Sequence, residues 1–293
     1  MVRQTHRDFL SFPIIPSVTS LIPTAWEHLQ PASIKALLEP AGEMPQALSV
    51  APHNVPIEAA LAVPLVIAAR LLLERAVEQG GLVLTQAGYL KRADVWHVFD
   101  RTEWPGHDKA TTLAINKVIN EQDAYGVFFT RIALQAAGLL RKRRGVLKAT
   151  KLGQMFLAAE AAPELLSALF QAVFWRMNLQ DFDRNPLPVW PQHHVGLVLW
   201  CLSVTAHEWS SAEYLTPLCT IMDMIDQPMA RDLPSFAMLT RILRPLTWLG
   251  LMESRRQKRA SGWGHDEDFR KTLSFDKMLS FKVEMIGEKD VRH

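Results

Sequence analysis

Between Tyr125 and Leu152 the chain reads Tyr-Gly-Val-Phe-Phe-Thr-Arg-Ile-Ala-Leu-Gln-Ala-Ala-Gly-Leu-Leu-Arg-Lys-Arg-Arg-Gly-Val-Leu-Lys-Ala-Thr-Lys-Leu. Apolar residues in the first half recur at helical spacing. Gly138 stands where a helix ends in a left-handed residue. Leu139–Ala149 is basic with Gly145 at its centre, and it reads as two short strands around a tight turn. Thr150 then supplies an N-cap for a following helix. Helix, glycine stop, hairpin and helix in this order are the layout of a winged-helix unit, with Leu139–Ala149 as its wing.

A similar layout returns towards the C-terminal end. Pro234–Leu249 reads as a helix ended by Gly250, with Pro245 set to kink or shorten it. Leu251–Arg259 is basic and strand-like, Ser261-Gly262-Trp263-Gly264 is a loop, and Phe269–Phe275 is the return. Both segments contain Thr-Arg-Ile (130–132 and 240–242) and Gly-Leu (138–139 and 250–251). The spacings between these pairs differ, so the segments share a layout without being a demonstrated repeat. The expected fold is mainly α, with tandem winged-helix-like modules and short β-hairpin wings.

The rest of the chain fits around these units. Residues 1–23 are rich in proline and β-branched residues and read as an extended arm. A helix pair follows around Pro31, and 39–55 reads as loop. Ile57–Gln79 is strongly helical, ended by Gly80-Gly81. Leu82–Leu84 is a short strand, Lys91–Asp100 and Lys109–Asn120 are helices, and Asp123 is set to cap the helix Ala124–Ala137. A further helix runs over 162–178. The Pro- and Asp-containing stretch 181–194 is the expected linker. This divides the chain into the arm (1–23), a helical domain with the first unit (24–178) and a second unit (193–293). In the second unit Val195–Thr205 is apolar, and Ser210 or Ser211 caps a helix through Asp226.

Composition narrows the function classes. Apolar residues make up 48% and charged residues 21% of the chain, which excludes global disorder. The net charge of +2 carries no nucleic-acid signal by itself, so any basic surface must come from local clustering. Cys201 and Cys219 are the only cysteines. They make no disulfide framework and read as buried thiols in a reducing, cytoplasmic setting. His193, His194 and His207 form no zinc pair with them. The longest apolar run, Ala59–Ala69, is interrupted by Pro64 and falls short of the roughly 18 residues of a membrane span. Neither a phosphate loop, a nucleophile elbow nor a His-Glu-x-x-His pair is present, so no catalytic residue, cofactor or metal is expected. Asp181 and Asp183 in the linker, and Asp223 and Asp226 on a helix, read as solvated surface, linker or cap residues. Of the loop tryptophans, Trp104, Trp190 and Trp209 read as core, and Trp263 as the exception.

Three pieces occur in one order: Leu84-Thr85-Gln86-Ala87-Gly88-Tyr89-Leu90-Lys91, then Asp94-Val95, then Ala137–Gly145 followed by Leu147-Lys148-Ala149-Thr150. Together they resemble a winged-helix-like helical region of uncharacterised bacterial proteins, many encoded on plasmids and transposons. The resemblance spans about residues 82–160. It implies small helical and winged units in a bacterial or mobile-element accessory protein, and it supplies no catalytic residues.

The residues themselves point to nucleic acid. Arg141, Lys142, Arg143, Arg144, Lys148 and Lys151 are six cations in eleven residues, with no acid among them. Cations on a wing displace counterions from phosphates. The helix before the wing would then offer Thr130, Arg131 and Gln135 to bases or phosphates, and the second wing adds Arg255, Arg256, Lys258 and Arg259. The expected function is a non-catalytic DNA-binding regulator or mobile-element accessory factor. Two alternatives stay open: a protein-docking module (partner or homo-oligomer) using winged helices and the apolar arm, and a plasmid-type replication initiator.

Overall fold

The computed structural model describes residues 24–40, 42–183, 185–222, 232–256 and 267–287. It is mainly helical, with three small antiparallel sheets. A 3-10 turn (Ala25–His28) leads into α1 (Pro31–Leu38), the strand β1 (Leu48–Val50), α2 (Ile57–Leu61) and α3 (Pro64–Glu78). The sequence predicts one helix over 57–79. The structure breaks it before Pro64, which has no N–H to donate and takes the first position of α3 while Val63 is extended.

The first unit follows: β2 (Leu82–Val83), α4 (Arg92–Phe99), α5 (Lys109–Ile115), α6 (Tyr125–Ala136), β3 (Leu140–Arg143), β4 (Val146–Ala149) and α7 (Lys151–Met155). Its sheet has the order β2-β4-β3. Thr150 caps α7 as expected, accepting from the Gly153 N–H at 3.1 Å. Asp123 does not cap α6. Its carboxylate instead accepts from the backbone and side chain of Asn120, both at 2.9 Å.

After α8 (Ala162–Trp175), the second unit comprises α9 (Val195–Thr205), β5 (Ser210–Ser211), α10 (Ala212–Cys219), α11 (Leu233–Met238), α12 (Arg244–Trp248), β6 (Met252–Arg256) and β7 (Glu267–Lys271). Its sheet has the order β5-β7-β6. In each unit a helix, a strand, further helices and a hairpin follow one another, and the last strand lies between the other two. Pro245 does not end its helix. A π-turn over Leu239–Leu243 joins α11 to α12 immediately before it, where the proline leaves a carbonyl without its usual donor.

The chain closes with α13 (Leu273–Met278) and β8 (Leu279–Phe281), and β8 pairs antiparallel with β1, Leu48 opposite Phe281. The stretch 39–55, expected as loop, therefore contains a strand. Its local signal is three residues among prolines, and its partner lies at the far end of the sequence. One buried apolar cluster runs through α3, α6, α8, α9, α10 and α12, so the core is continuous across residues 178–193.

That stretch is itself packed. Arg241 is wholly buried and binds both carboxylate oxygens of Asp183, at 2.9 and 3.0 Å. It also donates to the carbonyls of Asn185, Leu187 and Trp190. Asp183, read from sequence as solvated, is an internal ion-pair partner.

Candidate nucleic-acid interface

The hairpin β3–β4 pairs Leu140 with Ala149, Arg141 with Lys148, Lys142 with Leu147 and Arg143 with Val146. Leu140 and Leu147 are buried and anchor one face. The alternation of a strand then places Arg141, Arg143 and Lys148 on the other. Arg141, Lys142, Arg143, Arg144, Lys148 and Lys151 are all exposed, and none of their side chains has an ion-pair or hydrogen-bond partner among the described residues. Arg141 and Lys148 stand directly opposite one another, an arrangement that destabilises a sheet when nothing neutralises it.

The apex adds a second cost. The two-residue turn is Arg144-Gly145, with φ of 50° and 76°. A turn of this hand suits the twist of a hairpin and favours Asn or Gly at both positions. An arginine held there costs about 1 kcal/mol or more in backbone strain.

The hairpin β6–β7 is built differently. Arg255 pairs with Asp268 at 3.4 Å, Arg270 with Glu253 at 3.0 Å, and Arg244 with Glu267 at 3.1 Å. The guanidinium groups of Arg255 and Arg270 lie 4.6 and 4.7 Å from the ring of Trp209. Arg256 is exposed. Lys258, Arg259 and Trp263 lie outside the described residues. Among the described residues, the second hairpin thus sets carboxylates beside Arg255 and Arg270, and the first hairpin has no carboxylate beside its cations.

Helix α6 presents no exposed residue. Thr130 is fully buried, and its hydroxyl donates to the Gly126 carbonyl at 2.6 Å. Arg131 is buried in an ion pair with Glu121, donates to Gln135 at 2.8 Å, and lies 5.6 Å from the Phe128 ring. The other Glu121 oxygen accepts the Leu90 N–H at 2.7 Å. Thr130 and Arg131, expected at bases or phosphates, are therefore engaged inside the protein, and Gln135, expected with them, is half-buried and accepts from Arg131. The second unit repeats the pattern. Thr240 donates to the Phe236 carbonyl four residues back, and Arg241 holds Asp183. The shared Thr-Arg-Ile marks a buried ion pair in each unit.

The N-terminal half of α6 is sealed by the rest of the chain. Phe128 and Phe129 pack on Phe182 at 5.6 and 5.2 Å, and Phe129 meets Trp248 edge-on at 4.8 Å. The Trp248 indole N–H donates to the Pro105 carbonyl at 2.9 Å. His107 stacks on Tyr125 at 4.5 Å. Burial, with Arg244 nearby, lowers the His107 pKa to about 4, and burial raises that of Tyr125.

The remaining sequence candidates are structural. Cys201 and Cys219 are buried free thiols. Burial raises both pKa values, that of Cys219 to about 12. Trp104 and Trp190 are buried, and Trp209 is the half-buried ring between two arginines. Asp223 and Asp226 lie outside the described residues. Among the described residues, no three His, Cys, Asp or Glu side chains are grouped as a metal site, and no helix is long and apolar enough to cross a membrane.

A family match falls on the same unit. A family model described as the Y4jL N-terminal domain matches residues 61–162, a stretch that runs from the end of α2 through α7. The chain is also 36% identical over 84 residues to the uncharacterised protein y4jL of the bacterium Sinorhizobium fredii (strain NBRC 101917 / NGR234). That match covers 29% of this chain and 38% of the relative. No solved structure matches the chain.

Proposed function

We propose that this protein is a non-catalytic nucleic-acid-binding protein that grips phosphates through the β3–β4 hairpin. Each unit is read as a winged helix: α3, β2, α4, α6 and β3–β4 in the first, and α9, β5, α10, α11–α12 and β6–β7 in the second. One observation carries the reading. Five exposed cations stand on the first hairpin, Arg141 and Lys148 directly opposed, and Lys151 follows at the start of α7, with no carboxylate among them, while in the described part of the second hairpin Arg255 and Arg270 are paired with carboxylates. A like-charged, strained hairpin gains most from a polyanion whose condensed counterions it can displace.

Burial of α6 shapes the mode of binding. With Thr130 and Arg131 internal and Gln135 half-buried and held by Arg131, α6 has little with which to read a major groove, so the contact is with the backbone and tolerates sequence. An accessory factor that coats or clamps nucleic acid fits this better than a sequence-reading regulator.

Fluorescence anisotropy with a labelled random duplex at low salt tests the proposal. The Arg141→Ala, Lys142→Ala, Arg143→Ala, Arg144→Ala variant is expected to lose most of the affinity of the wild type. Equal binding by both proteins, or none by the wild type, would overturn it.

A further inference from the structure

The Leu84–Lys91 segment stands out in the sequence, yet the hairpin contact does not use it. Structurally it is an appendix of that hairpin. The Leu84 N–H donates to the Gly145 carbonyl at the hairpin apex, 2.9 Å away. The segment then folds on itself: the Thr85 N–H donates to the Tyr89 carbonyl, the Tyr89 N–H donates to the Thr85 hydroxyl, and Gly88, with φ of 84°, donates to the Thr85 carbonyl. A Cβ at Gly88 would lie 3.7 Å from the Lys142 ammonium, so the turn and the hairpin cation are in contact.

Behind the turn lies a groove of about 500 Å³, lined by Tyr89, Lys91, Arg92 and Gln122 among others. Its size suits a small organic ligand. Lys91 is exposed and its ammonium has no polar partner among the described residues. Arg92 is exposed and donates through Nε to Asn120 at 2.9 Å. Tyr89 is half-buried, and its hydroxyl accepts from the Gln122 amide. The one carboxylate of the lining, Glu121, is consumed by Arg131 and the Leu90 N–H. The groove therefore joins an aromatic ring to uncompensated positive charge, and the hairpin's Lys142 ammonium lies beside Gly88, the neighbour of Tyr89 in the turn.

We infer that this groove is a nucleotide subsite. It takes one unpaired nucleotide of a single strand lying along β3–β4, with the base against Tyr89 and its phosphate near Lys91 and Lys142. The inference rests on the nucleic-acid reading above and deepens it: an aromatic platform beside a cationic track is the chemistry of single-strand capture, and a base enters a groove only when it is unpaired and turned out.

The test compares labelled oligo(dT) with a duplex of the same length, using the wild type, Tyr89→Ala, Tyr89→Phe and Lys142→Gln, with circular dichroism to establish folding. Tyr89→Ala should weaken oligo(dT) binding about 5- to 150-fold, the range of one lost base stack, and leave duplex binding unchanged. Tyr89→Phe, which keeps the ring, should bind oligo(dT) like the wild type. An oligo(dT) carrying 5-iodouracil should crosslink to Tyr89 on irradiation, which reads the contact in the unmutated protein. Equal loss on both nucleic acids, or crosslinking confined to other residues, would overturn the subsite and leave the hairpin reading standing. Displacement of oligo(dT) by thymidine monophosphate at equal nucleotide concentration would overturn the strand as occupant in favour of a free nucleotide. Absence of any nucleic-acid binding by the wild type would overturn both proposals.

Discussion

Replacing Arg131 with Met separates two roles for that arginine. The Arg131 side chain is 8% exposed and that of Glu121 0%. The variant leaves a carboxylate in the interior with the Leu90 N–H as its remaining hydrogen-bond donor. Removing one member of a buried pair costs about 3–5 kcal/mol, a large share of the roughly 5–15 kcal/mol by which a folded protein exceeds its unfolded state. Methionine fills most of the volume of the arginine stem, so the loss reports the orphaned charge more than a cavity. Urea unfolding followed by tryptophan fluorescence should show a markedly lower midpoint. Changing Glu121 to Gln in the same chain removes that charge, and the double variant should be more stable than the sum of the single losses by about 1 kcal/mol or more. Nucleic-acid affinity, measured where the variant is folded, should not change. A wild-type midpoint combined with weakened binding would refute the reasoning, because it would place the guanidinium at the ligand.

Arg241→Met should be at least as damaging, since it strips Asp183 and three carbonyls of their donor. Hydrogen exchange over 183–192 should accelerate, and unchanged protection there would contradict the role of Arg241. Stability should also depend on acid. The pKa values of His107 and His194 are both lowered to about 4 by burial, with Arg244 and His193 respectively adding to it, from the ordinary imidazole value of 6.5. The unfolded chain therefore binds these protons first, and stability is complete above about pH 7 and falls as pH drops from 6.5 towards 4. Urea midpoints at about pH 7.5 and 5.5 should differ in that direction, with His107→Phe narrowing the gap, and equal midpoints would count against burial of these rings. Cys201 and Cys219 should be silent to a thiol reagent in the native protein and react fully in guanidinium. Rapid native reaction would show that one of them is accessible.

Local signals in this chain were legible where a residue type has one backbone consequence. Gly138 at φ 74° ends α6, Gly145 at φ 76° turns the hairpin, and Thr150 caps α7. The mainly helical character and the basic hairpin followed from such residues. Pairings across long separations were not legible. Nothing near Arg131 announces that Glu121 will bury it. The seal on α6 comes from Phe182 and Trp248, far along the sequence, which is why Thr130 and Gln135 read as surface. The same holds for β1, whose partner β8 lies near the other end of the chain. Charge on the two hairpins looked equivalent until the register set Asp268 and Glu253 beside the arginines of the second. The groove at Tyr89 was hidden because residues 85–92 and 120–122 meet only in the folded unit.

The salt dependence of duplex binding tests the account most directly. The five hairpin cations and Lys151, all engaged, give a slope of log K against log salt of at most about −5, since each neutralised phosphate contributes about −0.9. Changing Arg141, Lys142, Arg143 and Arg144 to Ala should flatten it by up to about 3.6, whereas changing Arg255 and Arg256 to Ala should alter it by less than about 1. A slope near zero in the wild type, or an equal change from either hairpin, would contradict the claim that the uncompensated β3–β4 hairpin is the nucleic-acid contact.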